Sequence, residues 1–120
     1  MTSRRADLGR VLVTEGAERG PLAACRSLVA LGYAVSAAAD TGLAPALRSR
    51  YCDERLIVPS PKHNPAAFVS ALERIALRRE YTALLPGGDA SLLAISRHGR
   101  RLEELVQIGL PPAATVERSV

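Results

Sequence analysis

Four short apolar runs, Val11-Leu12-Val13, Ala34 to Ala39, Leu56-Ile57-Val58 and Tyr81 to Leu85, punctuate this chain, and each is followed by residues of helical periodicity. Continuous apolar runs of this length read as strands buried on both faces rather than as half-exposed strands that alternate apolar with polar. Strands separated by helices cannot be joined by tight hairpins. They take parallel crossovers, which lay helices over both faces of one sheet. The expected fold is therefore α/β: a Rossmann-like three-layer domain with a mostly parallel four-stranded sheet in the order 3-2-1-4.

The helices carry their own punctuation. From Gly20 to Leu31, residues Leu22, Cys25, Leu28, Val29 and Leu31 fall near helical spacing, and Gly32 stops the pattern as a helix C-terminal glycine does. A short second helix is expected over Leu43 to Arg50. The third has the clearest start, because Asn64 can cap free amides while Pro65 takes the first helical position, where no amide is needed. Its apolar face is Phe68, Leu72, Ile75 and Ala76. After the loop Pro86-Gly87-Gly88-Asp89, a helix is expected over Ala90 to Arg97 with Asp89 as its cap, and a last one over Arg101 to Gln107. Residues 1–9 are expected to be a disordered tail.

Composition narrows the class. At 120 residues and 48% apolar content, the chain suits one domain with a core of its own. No apolar run reaches the roughly 20 uncharged residues of a membrane span, and no apolar segment follows Arg4 and Arg5 as a secretory signal would require, so a cytoplasmic protein is expected. The net charge is +4, but fifteen of the sixteen basic residues are arginines scattered among acids, and the aromatic side chains that stack bases are scarce. Nucleic acid is not an expected partner. Cys25 and Cys52 lie in no CxxC or Cys/His pattern, which points to reduced thiols, with neither a zinc site nor a disulfide framework.

In open α/β sheets, ligands bind outside the carboxyl ends of the strands where the strand order reverses, here between strands one and four. Two loops meet there, Thr14 to Gly20 and Pro86 to Asp89. The glycines of the first permit close backbone approach to a phosphate or carboxylate and lead into the helix-one amides. The three-glycine dinucleotide fingerprint fails, because counting from Gly16 its other two places hold Glu18 and Pro21. Asp40, at the end of strand two, imitates a ribose-binding acid, but an acid there commonly serves as a cap. His63 and His98 read as surface residues, and Ser49 and Ser91 have no histidine base nearby. The candidate substrate-binding residues are Thr14, Glu15, Gly16, Arg19, Gly20, Gly88 and Asp89. No catalytic, cofactor-binding or metal-ligating residues are expected in this chain.

Two stretches, Gly20-x-x-x-Ala24-Cys25-Arg26-x-Leu28-x-x-x-Gly32-Tyr33 and Tyr81-Thr-Ala-Leu-Leu-Pro-Gly-Gly-Asp89, together with Ser49-Arg50-Tyr51 and Leu56 to Pro61, resemble a known family. They resemble the N-terminal domain that precedes the ATP-grasp module in carbamoyl-phosphate synthase large subunits, biotin carboxylases and related carboxylate-amine ligases. The resemblance runs from Arg10 to Val120. It implies a parent enzyme that uses ATP and Mg2+ to convert a carboxylate into an acyl phosphate for attack by an amine. This domain would supply one wall of the acceptor-substrate cleft through the two loops, and nucleotide and metal would be held by later domains. On this reading, residues 10–110 are the pre-ATP-grasp domain, and residues 111–120 are a connector toward an ATP-grasp module missing from this chain. The chain is then not catalytic alone and takes no cofactor itself.

Two positions depart from the family pattern. Ala39-Asp40-Thr41-Gly42 stands where carbamoyl-phosphate synthases carry Asn-x-Asn-Pro, and Asp89 stands where a glutamate is usual, which favours a related ligase over carbamoyl-phosphate synthesis itself. Expected partners are an ATP-grasp module in cis and a small-molecule substrate, with a homodimer left open and no membrane. The alternatives are a partial NAD(P)-binding domain of a dehydrogenase or epimerase, and a stand-alone flavodoxin-like binding module.

Overall fold

A computed structural model describes residues 9–14, 19–41, 50–78 and 81–109, with 19–24 as backbone. Five strands, β1 (Arg10–Thr14), β2 (Ala34–Ala39), β3 (Glu54–Ile57), β4 (Ala83–Leu85) and β5 (Gln107–Ile108), form one sheet in the order β3-β2-β1-β4-β5. Every pairing is parallel. The helices are α1 (Arg19–Leu31), α2 (Pro65–Ala76), α3 (Asp89–His98) and α4 (Arg100–Leu105). The order 3-2-1-4 holds, and a fifth strand extends it. Among the described residues, no helix is long and apolar enough to cross a membrane.

Period-2 alternation in the strands sorts the core into two halves. Val11, Val13, Val35, Ala37 and Ala39 point to one face, where Cys25 and Leu28 of α1 cover them together with Tyr33 and Cys52. Leu12, Ala38 and Leu84 point to the other, against Phe68, Val69, Leu72 and Ile75 of α2, Ala94 and Ile95 of α3, and Leu102 of α4. The fold is thus three-layered, as expected. β2 is buried at every residue. β3 departs from the expectation of full burial: it starts two residues early, at Glu54, and alternates half-buried with exposed residues because it is an edge. The second helix expected over Leu43 to Arg50 lies outside the described residues except for Arg50, as do residues 1–8 of the tail and the connector 111–120.

The helix boundaries follow from backbone chemistry. Gly32, at φ 109°, is the left-handed residue ending α1; its amide donates to the Val29 carbonyl (3.1 Å) and that of Tyr33 to the Leu28 carbonyl (3.0 Å). This is the Schellman pair of bonds, which a β-carbon at that φ would strain. At α2, Asn64 Oδ1 accepts from the Ala67 amide (3.4 Å), with Pro65 opening the helix, and the apolar face Phe68, Leu72, Ile75 and Ala76 is buried. Asn64→Ala is expected to cost about 1 kcal/mol, read as a shift in urea midpoint with no change in slope.

The last helix is shorter than expected from Arg101 to Gln107. α4 ends at Leu105, Val106 turns extended, and Gln107–Ile108 pairs with Ala83 and Leu84. Left without β5, the outer edge of β4 would expose its backbone groups, and this tertiary pairing overrides local helical preference.

Cys25 and Cys52 are free and buried. Burial first, and the nearby Cys52 second, push the Cys25 thiol up from its ordinary 9.0 to about 11; burial also raises Cys52. The folded state therefore favours the neutral Cys25 thiol. That contribution is present below the unfolded pKa near 9.0 and is lost as pH climbs toward 11. At pH 8, iodoacetamide is expected to label Cys25 no faster than the chain unfolds, which mass spectrometry after urea titration would check.

Candidate substrate crevice

The strand order reverses between β1 and β4, which lie side by side with Val13 opposite Leu85. Their carboxyl ends thus bring Thr14 next to Pro86-Gly87-Gly88, as the topology demands of a ligand crevice. Thr14 is fully buried. Its hydroxyl donates to Ser91 Oγ at 2.9 Å and accepts from the Gly87 amide at 3.2 Å. One side chain at the end of β1 therefore ties down both the loop after β4 and the first turn of α3. Both bonds turn the Thr14 hydroxyl toward the loop and α3.

Gly88 is the N-cap of α3, extended and with no side-chain hydrogen bond to the first turn. Asp89 is therefore the first helical residue and not the cap expected from sequence. It is exposed, and it carries a carboxylate in the first turn, where the helix dipole favours negative charge. With glycine at the cap, the first amides of α3 receive no side-chain acceptor from the position that usually supplies one. Residues 86–88 are half-buried. On the other wall, Arg19 and Gly20 open α1. Glu15 and Gly16 lie outside the described residues. The structure therefore brings Thr14, Gly88 and Asp89 to one place, with the start of α1 following the same strand.

Ser91 is the residue the sequence reading missed. Without a histidine base it offers no nucleophile, yet Ser91, Ala94 and Ile95 are the buried residues of α3 at i, i+3 and i+4, and that spacing turns its hydroxyl inward toward β1.

A second polar group spans the opposite, amino-terminal end of the sheet. The Tyr81 hydroxyl donates to Ser36 Oγ (3.0 Å) and lies 3.3 Å from Glu54 Oε1. Arg10 donates to Ser36 Oγ (3.2 Å) and pairs with Asp53 (3.0 Å), while Arg78 pairs with Glu54 (3.1 Å). These bonds satisfy the fully buried Ser36 and tie β1, β2, β3 and the end of α2 together. They lie a strand length from the crevice.

Asp40 and both histidines are exposed. Among the described residues, no group of three or more His, Cys, Asp or Glu side chains could hold a metal ion. Among the described residues, the crevice presents backbone amides and the Asp89 carboxylate, a set that can bind and orient a polar small molecule.

Compared with family models and with curated proteins, the chain matches none. It is similar in fold to the solved structure of glycinamide-RNase-transformylase T from Mycobacterium tuberculosis, with a TM-score of 0.57 and 22% identity. The match covers 82% of this chain and 28% of that one, so this chain spans little more than a quarter of the transformylase's length. At that identity the likeness is one of fold: an α/β domain with a five-stranded parallel sheet.

Proposed function

We propose that this chain is the substrate-side domain of an ATP-grasp carboxylate-amine ligase, working with an ATP-grasp module that holds ATP and Mg2+. The observation that carries this reading is the crevice at the β1–β4 reversal, where Thr14 fixes the Gly87-Gly88 turn and leaves the start of α3 without a side-chain cap. Two supports stand beside it: the motif resemblance over Gly20 to Tyr33 and Tyr81 to Asp89, and the fold likeness to one part of glycinamide-RNase-transformylase T. The amides of Gly88 and Asp89, together with Glu15, Gly16, Arg19 and Gly20, bind the acceptor substrate. Asp89 accepts hydrogen bonds from it, and Thr14 holds the turn in place. Phosphoryl transfer belongs to the partner module, and this domain contributes position and exclusion of water.

The test is release of ADP by the natural full-length polypeptide offered a panel of small carboxylates and amines. ADP formation that depends on one carboxylate and one amine is expected. Asp89→Asn should raise KM for the acceptor roughly tenfold with KM for ATP unchanged, as removal of a substrate contact in uniform binding does. No ADP with any pair, or an Asp89→Asn effect on ATP instead, would sink the reading.

A further inference from the structure

The corner between α3 and α4 carries three arginines and a histidine within five residues: Arg97, His98, Arg100 and Arg101, all exposed. Elsewhere Arg10 of β1 bonds Asp53, and Arg78, just after α2, bonds Glu54. Among the described residues, these four form no ion pair or hydrogen bond.

Stability explains two of them and not the others. Arg97 and His98 lie in the last turn of α3, where the carbonyl end of a helix attracts positive charge. Arg100 and Arg101 are the first two residues of α4, at the amide end, which repels cations. The junction is also tightly built. Gly99 is buried, and a β-carbon there would stand 2.5 Å from the Ile95 carbonyl oxygen, so glycine is what lets α4 fold back so soon after α3. Beneath the arginines Leu102 is anchored in the core. Two cations thus stand on a tightly packed backbone junction, at the end of the helix where they work against its dipole. A local rule broken without a folding benefit marks a surface kept for something else.

His98, Arg100, Arg101, Glu104 and the half-buried Leu105 line an open groove of about 700 Å3. We propose that this groove docks an acidic segment of a partner protein, whose carboxylates pair with Arg100 and Arg101 and whose neighbouring apolar side chain rests on Leu105. Guanidinium groups match carboxylates as two-pronged donors, and a mixed floor of one leucine and one acid suits a peptide. A nucleic-acid strand fits it less well: Glu104 would face a continuous row of phosphates, and no aromatic ring lines the groove to stack a base. The groove lies at the end of α3 remote from the crevice, about 15 Å along the helix, and the proposal is independent of the ligase reading.

The experiment titrates the isotopically labelled chain with the acetylated peptide Glu-Glu-Leu-Glu-Glu at low salt and follows backbone amide shifts. Saturable shifts confined to residues 97–105 are expected. The double variant Arg100→Glu/Arg101→Glu should bind at least about tenfold more weakly, and Glu104→Gln about two- to threefold more tightly. Reversing those two charges improves the match to the α4 dipole, so lost binding in the double variant cannot be put down to lost folding; unchanged circular dichroism would confirm that. Absence of shifts at millimolar peptide, shifts lying elsewhere, or undiminished binding by the double variant would overturn the proposal. So would a twelve-residue oligo-dT that binds these residues more tightly than the peptide, which would assign the groove to nucleic acid.

Discussion

Replacing Phe68 with alanine is expected to remove about 3–5 kcal/mol of folding stability. Phe68 is the chain's one phenylalanine and is fully buried, so it dominates a core with few large side chains. It projects from α2 into the cluster holding Leu12, Ala38 and Leu84 on adjacent strands and Ala94 and Leu102 on the flanking helices. The small alanines around it leave little that could move into the space. A domain of this length has about 5–15 kcal/mol to lose, so the variant should sit close to its unfolding transition at 37 °C. Urea titration checks the value. Phe68→Leu, which keeps most of the volume, should cost markedly less. A loss below about 1.5 kcal/mol for the alanine variant would mean that α2 does not organise this face.

The second large effect is expected from Thr14→Val, a change of almost no volume. It removes the acceptor of the half-buried Gly87 amide and the donor to the fully buried Ser91 Oγ. Leaving two such groups without partners costs about 2–4 kcal/mol together, far more than the added methyl can return. Thr14→Ser keeps the hydroxyl and should lose only about 1 kcal/mol, from the missing methyl. Hydrogen exchange at Gly87 to Leu92 gives the local readout. In the valine variant those amides should exchange faster than the rest of the sheet, while in Phe68→Ala protection should fall throughout. If valine at position 14 were tolerated within 0.5 kcal/mol, the hydroxyl would not be what holds the loop.

Much of the architecture was legible because strands buried on both faces leave an unambiguous mark. Ala34 to Ala39 is the strand in the structure residue for residue, and Asn64-Pro65 marked the α2 start because cap and proline chemistry are local. What escaped depends on distant partners. Gln107–Ile108 is a strand because β4 lies beside it, and nothing within Arg101 to Gln107 reveals that. Glu54 and Arg55 are too polar to read as strand until β3 is known to be an edge. In the crevice, the loops could be located from topology, but the role of Thr14 could not. Whether a hydroxyl at the end of a strand faces a ligand or faces inward is decided by Ser91, 77 residues away.

That separation has a consequence for the order in which the protein can be made. β1 is the central strand and leaves the ribosome first; β2 reaches it after one short crossover, Val11 opposite Val35, but its other edge waits for Ala83. Until β4 is made, the nascent chain therefore carries one half-paired parallel strand and a Thr14 hydroxyl without its Gly87 and Ser91 partners. Closing that gap joins residues some seventy positions apart, a contact of high loop-closure entropy. Arrival of β4 completes the pairing of β1, and the bonds from the Thr14 hydroxyl to Gly87 and Ser91 can form only once it has taken place.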